Sequence, residues 1–410
     1  MPIKMMKNKK FFFSITKVLT LLVAVFLLAG CVPANLKFNC TKDDSSIKIG
    51  ALVPLTGSNK THGARLLDGM ILAVEQLNYK RGISNKKVEL IAIDIADSNN
   101  TPNVAMQKLL NAKVAAAIVG CSSLEVAPFL PLAPKYRIPL VIPIATDDEQ
   151  VGYNRFIFRS SYTNSQQADA VASYLWYWRQ IKRIGVMTNM SPDSEEERAV
   201  TREVAQQFQD LGGAVLHTQS YIDDNFKSAL TNVLTFGPQA VVISSPAKRA
   251  AKMFKELRQQ EFIGIICGTD TWEDPDFYEN LKGVALPGDC FFTSFYSDEN
   301  QSNQYKQFKE SFLEKFYRTP GAYEAQGFDA VNLLAIGLSG AYNMYEFEKN
   351  WMNIRDYMGV TGSYTMLHDG NVDRTIYINS LSTFGKRLPH PIPRLIRNFQ
   401  YSRLDTYKNL

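Results

Sequence analysis

Two adjacent serines, Ser122 and Ser123, stand where an apolar run ends and a helical pattern begins. At such a junction hydroxyls and unpaired backbone N–H groups converge, and the helix dipole favours an anion. The same serines also make a plain N-cap, and the two roles are compatible. Pro128, Pro131 and Pro134 shorten or break the helix behind them, so its dipole carries little weight. Asp270 follows another apolar run, residues 262–266, which places a carboxylate at a strand end. There it suits a cation held by a short, charge-assisted hydrogen bond, although an Asp at such a place commonly forms a turn. Trp272 close behind reads either as a pocket wall or as core.

Catalytic chemistry finds less support. Ser245-Pro246-Ala247-Lys248 fits a Ser-x-x-Lys pattern, but that chemistry also needs a Ser-x-Asn element and a later Lys-Thr-Gly strand. Lys60-Thr61-His62-Gly63 comes first and breaks the triplet. There is no Gly-x-Ser-x-Gly elbow, no His-Glu-x-x-His and no phosphate-cradling loop with Lys, and the chain holds 4 His. Cys-x-x-Cys and Cys/His metal spacings are missing, so no enzyme, metal or cofactor is expected.

The elements that must position these residues alternate regularly. Strand-like runs fall at 47–53, 88–95, 115–119, 140–144, 183–187, 215–218, 240–243 and 262–266. Helical patterns lie between them at 63–78, 101–110, 166–178, 195–211, 227–234 and 248–259. Continuous apolar strands separated by helices read as βαβ units, with parallel sheets covered on both faces. The pattern restarts after Arg155, with 156–162 as a crossing segment. The expected class is therefore α/β: two Rossmann-like lobes joined by a three-strand hinge, with crossings near 160, 292 and 370. Lobe one is expected over 47–162 plus 293–370, and lobe two over 163–292 plus 371–385. Ligands of such folds bind at the carboxyl ends of parallel strands.

The first 30 residues are read apart from this fold. Lys4, Lys7, Lys9, Lys10 and Lys17 precede an apolar run at 18–29, the order of a secretory signal. Leu28-Ala29-Gly30-Cys31 resembles the bacterial lipobox, which implies a lipidated Cys31, a polar tether at 31–46 and attachment to the cell envelope. At 45% apolar and 21% charged, the composition is that of a globular protein. The net charge of +5 lies largely in the signal and in a basic extension at 386–410, whose prolines and arginines read as a solvated tail or a strap on one lobe. A near-neutral middle argues against nucleic acid as a partner. Besides Cys31 there are Cys40, Cys121, Cys267 and Cys290, an even remainder that permits disulfides in an oxidising compartment. Cys267 and Cys290, both in apparent strands, form the candidate pair.

In order and spacing the chain resembles the type I periplasmic binding proteins of the leucine/isoleucine/valine-binding class. The resemblance rests on Ile49-Gly50-Ala51-Leu52-Val53-Pro54-Leu55-Thr56-Gly57, on Gly57, Gly63 and Gly69 at six-residue steps, and on Asp94-Ile95-Ala96-Asp97. Val119-Gly120-Cys121-Ser122-Ser123, Ile142-Pro143-Ile144-Ala145-Thr146, and the late Tyr323 to Val331 and Gly362 to Asn371 segments complete it. It spans Ile47 to about Ser380.

This resemblance implies a substrate-binding subunit of an ABC importer, partnered by membrane permease subunits. Ser123, more than Ser122, would receive the ligand carboxylate. The Ala145 carbonyl and Thr146 hydroxyl would touch the ammonium and carboxylate, and Asp270 would pair with the ammonium. His62 stands where relatives carry an aromatic that closes over the ligand. Asp193-Ser194 and Ser245-Pro246-Ala247 depart from the family's aromatic wall, so the expected ligand is a polar amino acid, a short peptide or another small carboxylate or amide. A lipoprotein sensor or partner-binding regulator of the same fold, for example of cell-wall synthesis, is the alternative.

Overall fold

The computed structural model describes residues 45–381 and 387–391, except 153, 193, 283, 285–289 and 299. The signal, Cys31, Cys40, almost all of the tether and the extension beyond 391 lie outside the described residues.

The chain begins with β1 (Ser46–Val53), α1 (Lys60–Tyr79), β2 (Lys87–Asp94), α2 (Pro102–Asn111) and β3 (Ala116–Val119). The proline-rich stretch that follows is broken as expected, into α3 (Ser123–Val126), a 3-10 turn and α4 (Leu132–Tyr136). β4 (Leu140–Ile142) and β5 (Ile157–Arg159) finish a sheet of order β2-β1-β3-β4-β5 in which every pair is parallel. Residues 156–162, expected only to cross between lobes, thus first supply an edge strand.

The second lobe repeats the plan. It runs through α5 (Asn164–Ser173), β6 (Arg183–Asn189), α6 (Glu195–Asp210), β7 (Ala214–Tyr221), α7 (Lys227–Leu234), β8 (Ala240–Ile243) and α8 (Ala247–Gln259). β9 (Ile265–Gly268), α9 (Pro275–Leu281) and β10 (Phe291–Ser294) complete its parallel strands. The chain then returns to the first lobe as α10 (Asn303–Phe316), α11 (Ala322–Leu338) and α12 (Met344–Met352). These lead into a small antiparallel sheet of β11 (Tyr357–Gly359), β12 (Gly362–Met366) and β13 (Val372–Arg374). A last crossing delivers β14 (Tyr377–Leu381), antiparallel to β10. β15 (Arg387–Pro391) pairs with β14, so the start of the basic extension is an edge strand of the second sheet. The edge is where a strand containing prolines is tolerated.

α11 is buried on nearly every side, because it packs against α1, α12 and β3. Its contact with α1 is backbone on backbone: a Cβ at Gly69 would lie 1.9 Å from Glu324 O, and one at Gly327 would lie 2.1 Å from Leu66 O. Asp329, from the late signature segment, accepts from Val360 N and Thr361 N, both at 2.9 Å, and from Thr361 Oγ1 at 2.6 Å. It holds the β11–β12 turn, and burial raises its carboxyl above the usual range.

The expected pairing of Cys267 with Cys290 does not form. Phe291 stands opposite Cys267 on the neighbouring strand, so Cys290 is one residue out of step. Successive side chains of a strand point to opposite faces. Cys267 accordingly joins the core on one side of the sheet and Cys290 the core on the other. Cβ vectors pointing apart cannot be bridged. The Cys267 thiol meets Val241 O at 3.6 Å, and Cys290 Sγ accepts from Arg258 Nη2 at 2.9 Å.

Candidate functional site

The carboxyl ends of both parallel sheets face one cavity of about 320 Å³ between the lobes. Lobe one contributes His62, Ser122, Ala145, Thr146 and Tyr323; lobe two contributes Asn164, Gln167, Glu196, Asp270, Glu273 and Asp274. Residues that sequence places in seven separate segments therefore meet in one space.

Local structure fixes each group. Ser122 caps α3, its Oγ accepting from Glu125 N at 3.4 Å. Ser123, 7% exposed, accepts from Asp147 N at 3.4 Å and donates from Oγ to Glu196 Oε1 at 2.9 Å. Thr146 Oγ1 donates to the same Glu196 oxygen at 2.7 Å. Two hydroxyls of lobe one thus converge on a carboxylate of lobe two. The Ala145 carbonyl, expected to meet an ammonium, already accepts from Ser161 Oγ at 2.6 Å and Arg159 Nη1 at 3.2 Å. Arg159 is fully buried beneath it, and burial lowers its guanidinium to about 10.

His62, in the first turn of α1, stacks flat on Tyr323 with ring centroids 4.5 Å apart. Its Nε2 lies 2.9 Å from Asp274 Oδ2 of the other lobe. Burial opposes ionisation of Asp274, but the hydrogen bonds from His62 and Asp276 N outweigh it and hold the carboxyl below its usual range.

Asp270 begins a 3-10 turn directly after β9, as the strand-end reading requires. Gln167 Nε2 donates to its Oδ1 at 2.9 Å. Burial pushes the carboxyl up to about 7, against the Gln167 bond and with the aid of Glu196 and Glu273. Trp272 is core, 0% exposed and stacked on Phe277 at 4.3 Å. The departures from the aromatic wall also reach the cavity, through Ser194, Pro246 and Ala247, while Asp193 lies outside the described residues.

Sequence reasoning missed Glu196, Gln167, Asn164 and Asp274. Glu195-Glu196-Glu197 reads as an acidic first turn complementing the α6 dipole, and its second member's reach into lobe one depends on the lobes' mutual placement. The fixing contacts are local: Asn189 Nδ2 donates to Ser194 Oγ at 2.7 Å and to Glu197 Oε2 at 2.9 Å, setting the first turn of α6.

Two α/β lobes facing one another across a cavity to which both contribute polar groups, with three chain crossings beneath it, define a bilobal receptor for a small ligand. Residues 46–378 match the family described as "Periplasmic binding protein", and the chain belongs to that family. Over 303 residues it is 21% identical to the leucine-, isoleucine-, valine-, threonine- and alanine-binding protein of Pseudomonas aeruginosa, covering 72% of this chain and 79% of that one. The branched-chain amino acid transporter substrate-binding protein LivJ of Streptococcus pneumoniae, solved with isoleucine, superposes with a TM-score of 0.73 at 23% identity. That match covers 85% of this chain and 99% of LivJ. A solute-binding protein of an ABC transporter from Rhodopseudomonas palustris, solved with 3,4-dihydroxybenzoic acid, superposes with a TM-score of 0.70 at 19% identity, over 85% and 97%. These proteins share one fold and bind differently shaped ligands. The family places the chain outside the cytoplasm, and no described helix is long and apolar enough to cross a membrane.

Proposed function

We propose that the chain is a lipid-anchored solute-binding subunit of an ABC importer. It takes an amino acid or a similar small polar ligand between its lobes, hands it to a membrane permease, and catalyses no reaction. The observation that carries the reading is the interlobe cavity, whose polar groups come from both lobes and whose partners change when the lobes separate. One lobe holds the ligand in the open form and the second adds contacts on closing, so affinity derives from differential binding to the closed state. The moving bodies are the expected lobes, 47–162 with 293–370 and 163–292 with 371–385, except that β13 (Val372–Arg374) pairs with β12 and so goes with the first. Cys31, as the lipidated residue, tethers the receptor within reach of its permease.

The test uses the full chain in detergent micelles. Thermal unfolding is screened against amino acids, amines and small carboxylates, because a ligand of the native state stabilises it by mass action. At least one compound should raise Tm in a concentration-dependent way and compact the protein in small-angle scattering. A flat response across all three classes would overturn the reading.

A further inference from the structure

The cavity wall carries an unexpected carboxylate. Ser123 Oγ and Thr146 Oγ1, the pair of lobe-one hydroxyls suited to a ligand carboxylate, converge instead on Glu196 Oε1 at 2.9 and 2.7 Å. The chain supplies that anion itself, from the opposite lobe. Neighbouring donors are also engaged: Cys121 N donates to Glu125 Oε2 at 2.8 Å. Among the described residues no Lys or Arg lines the cavity, and His62 is held by Asp274 at 2.9 Å. A second carboxylate brought by a ligand would therefore face Glu196 with no cation to receive it, and juxtaposed like charges disfavour binding.

The remaining chemistry points to a positive ligand. Asp270 and Glu273 line the same cavity as Glu196, and Asp270 accepts from the neutral amide of Gln167 at 2.9 Å. Asn164, in the cavity wall and 1% exposed, has an Oδ1 with no hydrogen-bond partner among the described residues. Phe295 and Tyr323 also line the cavity, with Tyr323 stacked by His62 and Phe295 stacked on Tyr162. Among the described residues no three His, Cys, Asp or Glu side chains are grouped to hold a metal ion, so the acids suit an extended organic cation better than a bare metal. The volume of about 320 Å³ fits a ligand of amino-acid size.

We propose that the cavity binds a small organic cation, an alkylammonium or guanidinium lacking a free carboxylate, with Glu196 occupying the seat a ligand carboxylate would take. Asp270 receives the cation's N–H groups, and the closing movement that brings Glu196 onto Ser123 and Thr146 completes the pocket. This inference rests on the solute-binding reading and narrows its ligand class.

Matched probes that differ only in the α-carboxylate decide it: cadaverine against lysine, and agmatine against arginine, titrated calorimetrically into the full chain in micelles. In at least one pair the amine should bind ~100-fold or more tightly than its amino acid, the order expected when a like-charge contact is avoided. Glu196→Ala, confirmed folded by circular dichroism, should narrow that gap by strengthening the amino acid, since it frees both hydroxyls. An amino acid that binds the native chain as tightly as its amine would overturn the inference and leave the solute-binding reading standing. If neither probe binds while another zwitterion or a carboxylate does, the inference falls alone; if nothing binds at all, both fall. The comparison on the unmodified chain decides even where the variant does not fold.

Discussion

Arg374 donates through Nη1 to the carbonyl of Ser160 at 2.7 Å, tying the third crossing between the lobes to the first. Its Nη2 reaches Phe295 O at 3.3 Å, which belongs to the second crossing, and Thr361 Oγ1 at 3.0 Å. One buried guanidinium therefore touches all three chain segments of the hinge, with its plane 4.7 Å from the Tyr364 ring centroid. Gln166, at the start of α5, adds a parallel tie by donating to Val372 O at 2.9 Å. The three crossings are thus tied to one another by buried hydrogen bonds.

Arg374→Met should therefore destabilise the protein by about 3–5 kcal/mol, because it leaves several buried acceptors without a donor. Arg374→Lys should recover only part of this, since an ammonium lacks the planar fork that reaches separate carbonyls. Denaturant unfolding measures both, and a loss below ~1 kcal/mol in the Met variant would show that the ties are dispensable.

Gly69→Ala tests the helix crossing that carries Tyr323 to the cavity. Its Cβ would meet Glu324 O at 1.9 Å, and both backbones would have to part. A loss of ~2 kcal/mol or more is expected, at the upper end for overpacking. Gly152→Ala, with nothing within 4 Å of the added Cβ, should stay within ~0.5 kcal/mol of the parent. Equal effects at the two positions would contradict the close crossing.

Much of this architecture was legible because its signals are local. The strand at 240–243 and the helix at 227–234 were read to the residue, since apolar runs and 3.6-residue periodicity are written in adjacent positions. The glycine steps were legible only as part of a resemblance, and the structure shows close approaches at two of them, Gly63 against Pro54 O and Gly69 against Glu324 O. What was not legible depends on register and on lobe-to-lobe placement. Cys267 and Cys290 looked pairable because sequence does not reveal a one-residue offset between strands. Ala145 offered a free carbonyl only until Arg159, fourteen residues on, was folded beneath it. Glu196 has an ordinary place in an acidic helix start, and its contact with Thr146 spans fifty residues and two lobes.

The tether makes a separate expectation. Cys31→Ser should yield a soluble or uncleaved product in place of a lipid-modified one, checked by detergent phase partitioning and mass spectrometry of the N-terminal peptide. Persistence of a mature-size, lipid-modified species in the membrane fraction would refute lipidation at Cys31.

Asp270 gives the sharpest pH dependence. Burial raises its carboxyl from 3.8 to about 7 in the folded chain, with Gln167 opposing and Glu196 and Glu273 reinforcing the shift. Tyr162 and Tyr323 also feel its charge. The folded state thus holds this proton more tightly than the unfolded state does, so protonation stabilises the fold. That contribution is complete below about pH 3.8 and is lost as pH rises through about 7. Asp270→Asn removes the ionised carboxylate and keeps the side chain's size, so without ligand it should unfold at a higher temperature than the parent at pH 8. The expected gain is on the order of 2–8 °C, a few kcal/mol in a protein of this size. The advantage should shrink as pH falls from 7 towards 4. With a saturating cationic ligand the order should reverse at pH 8, because the parent gains a charge pair that the Asn variant cannot form. Scanning calorimetry of both proteins across this pH range measures each part, and superimposable Tm profiles without ligand would show that Asp270 titrates normally in the folded chain.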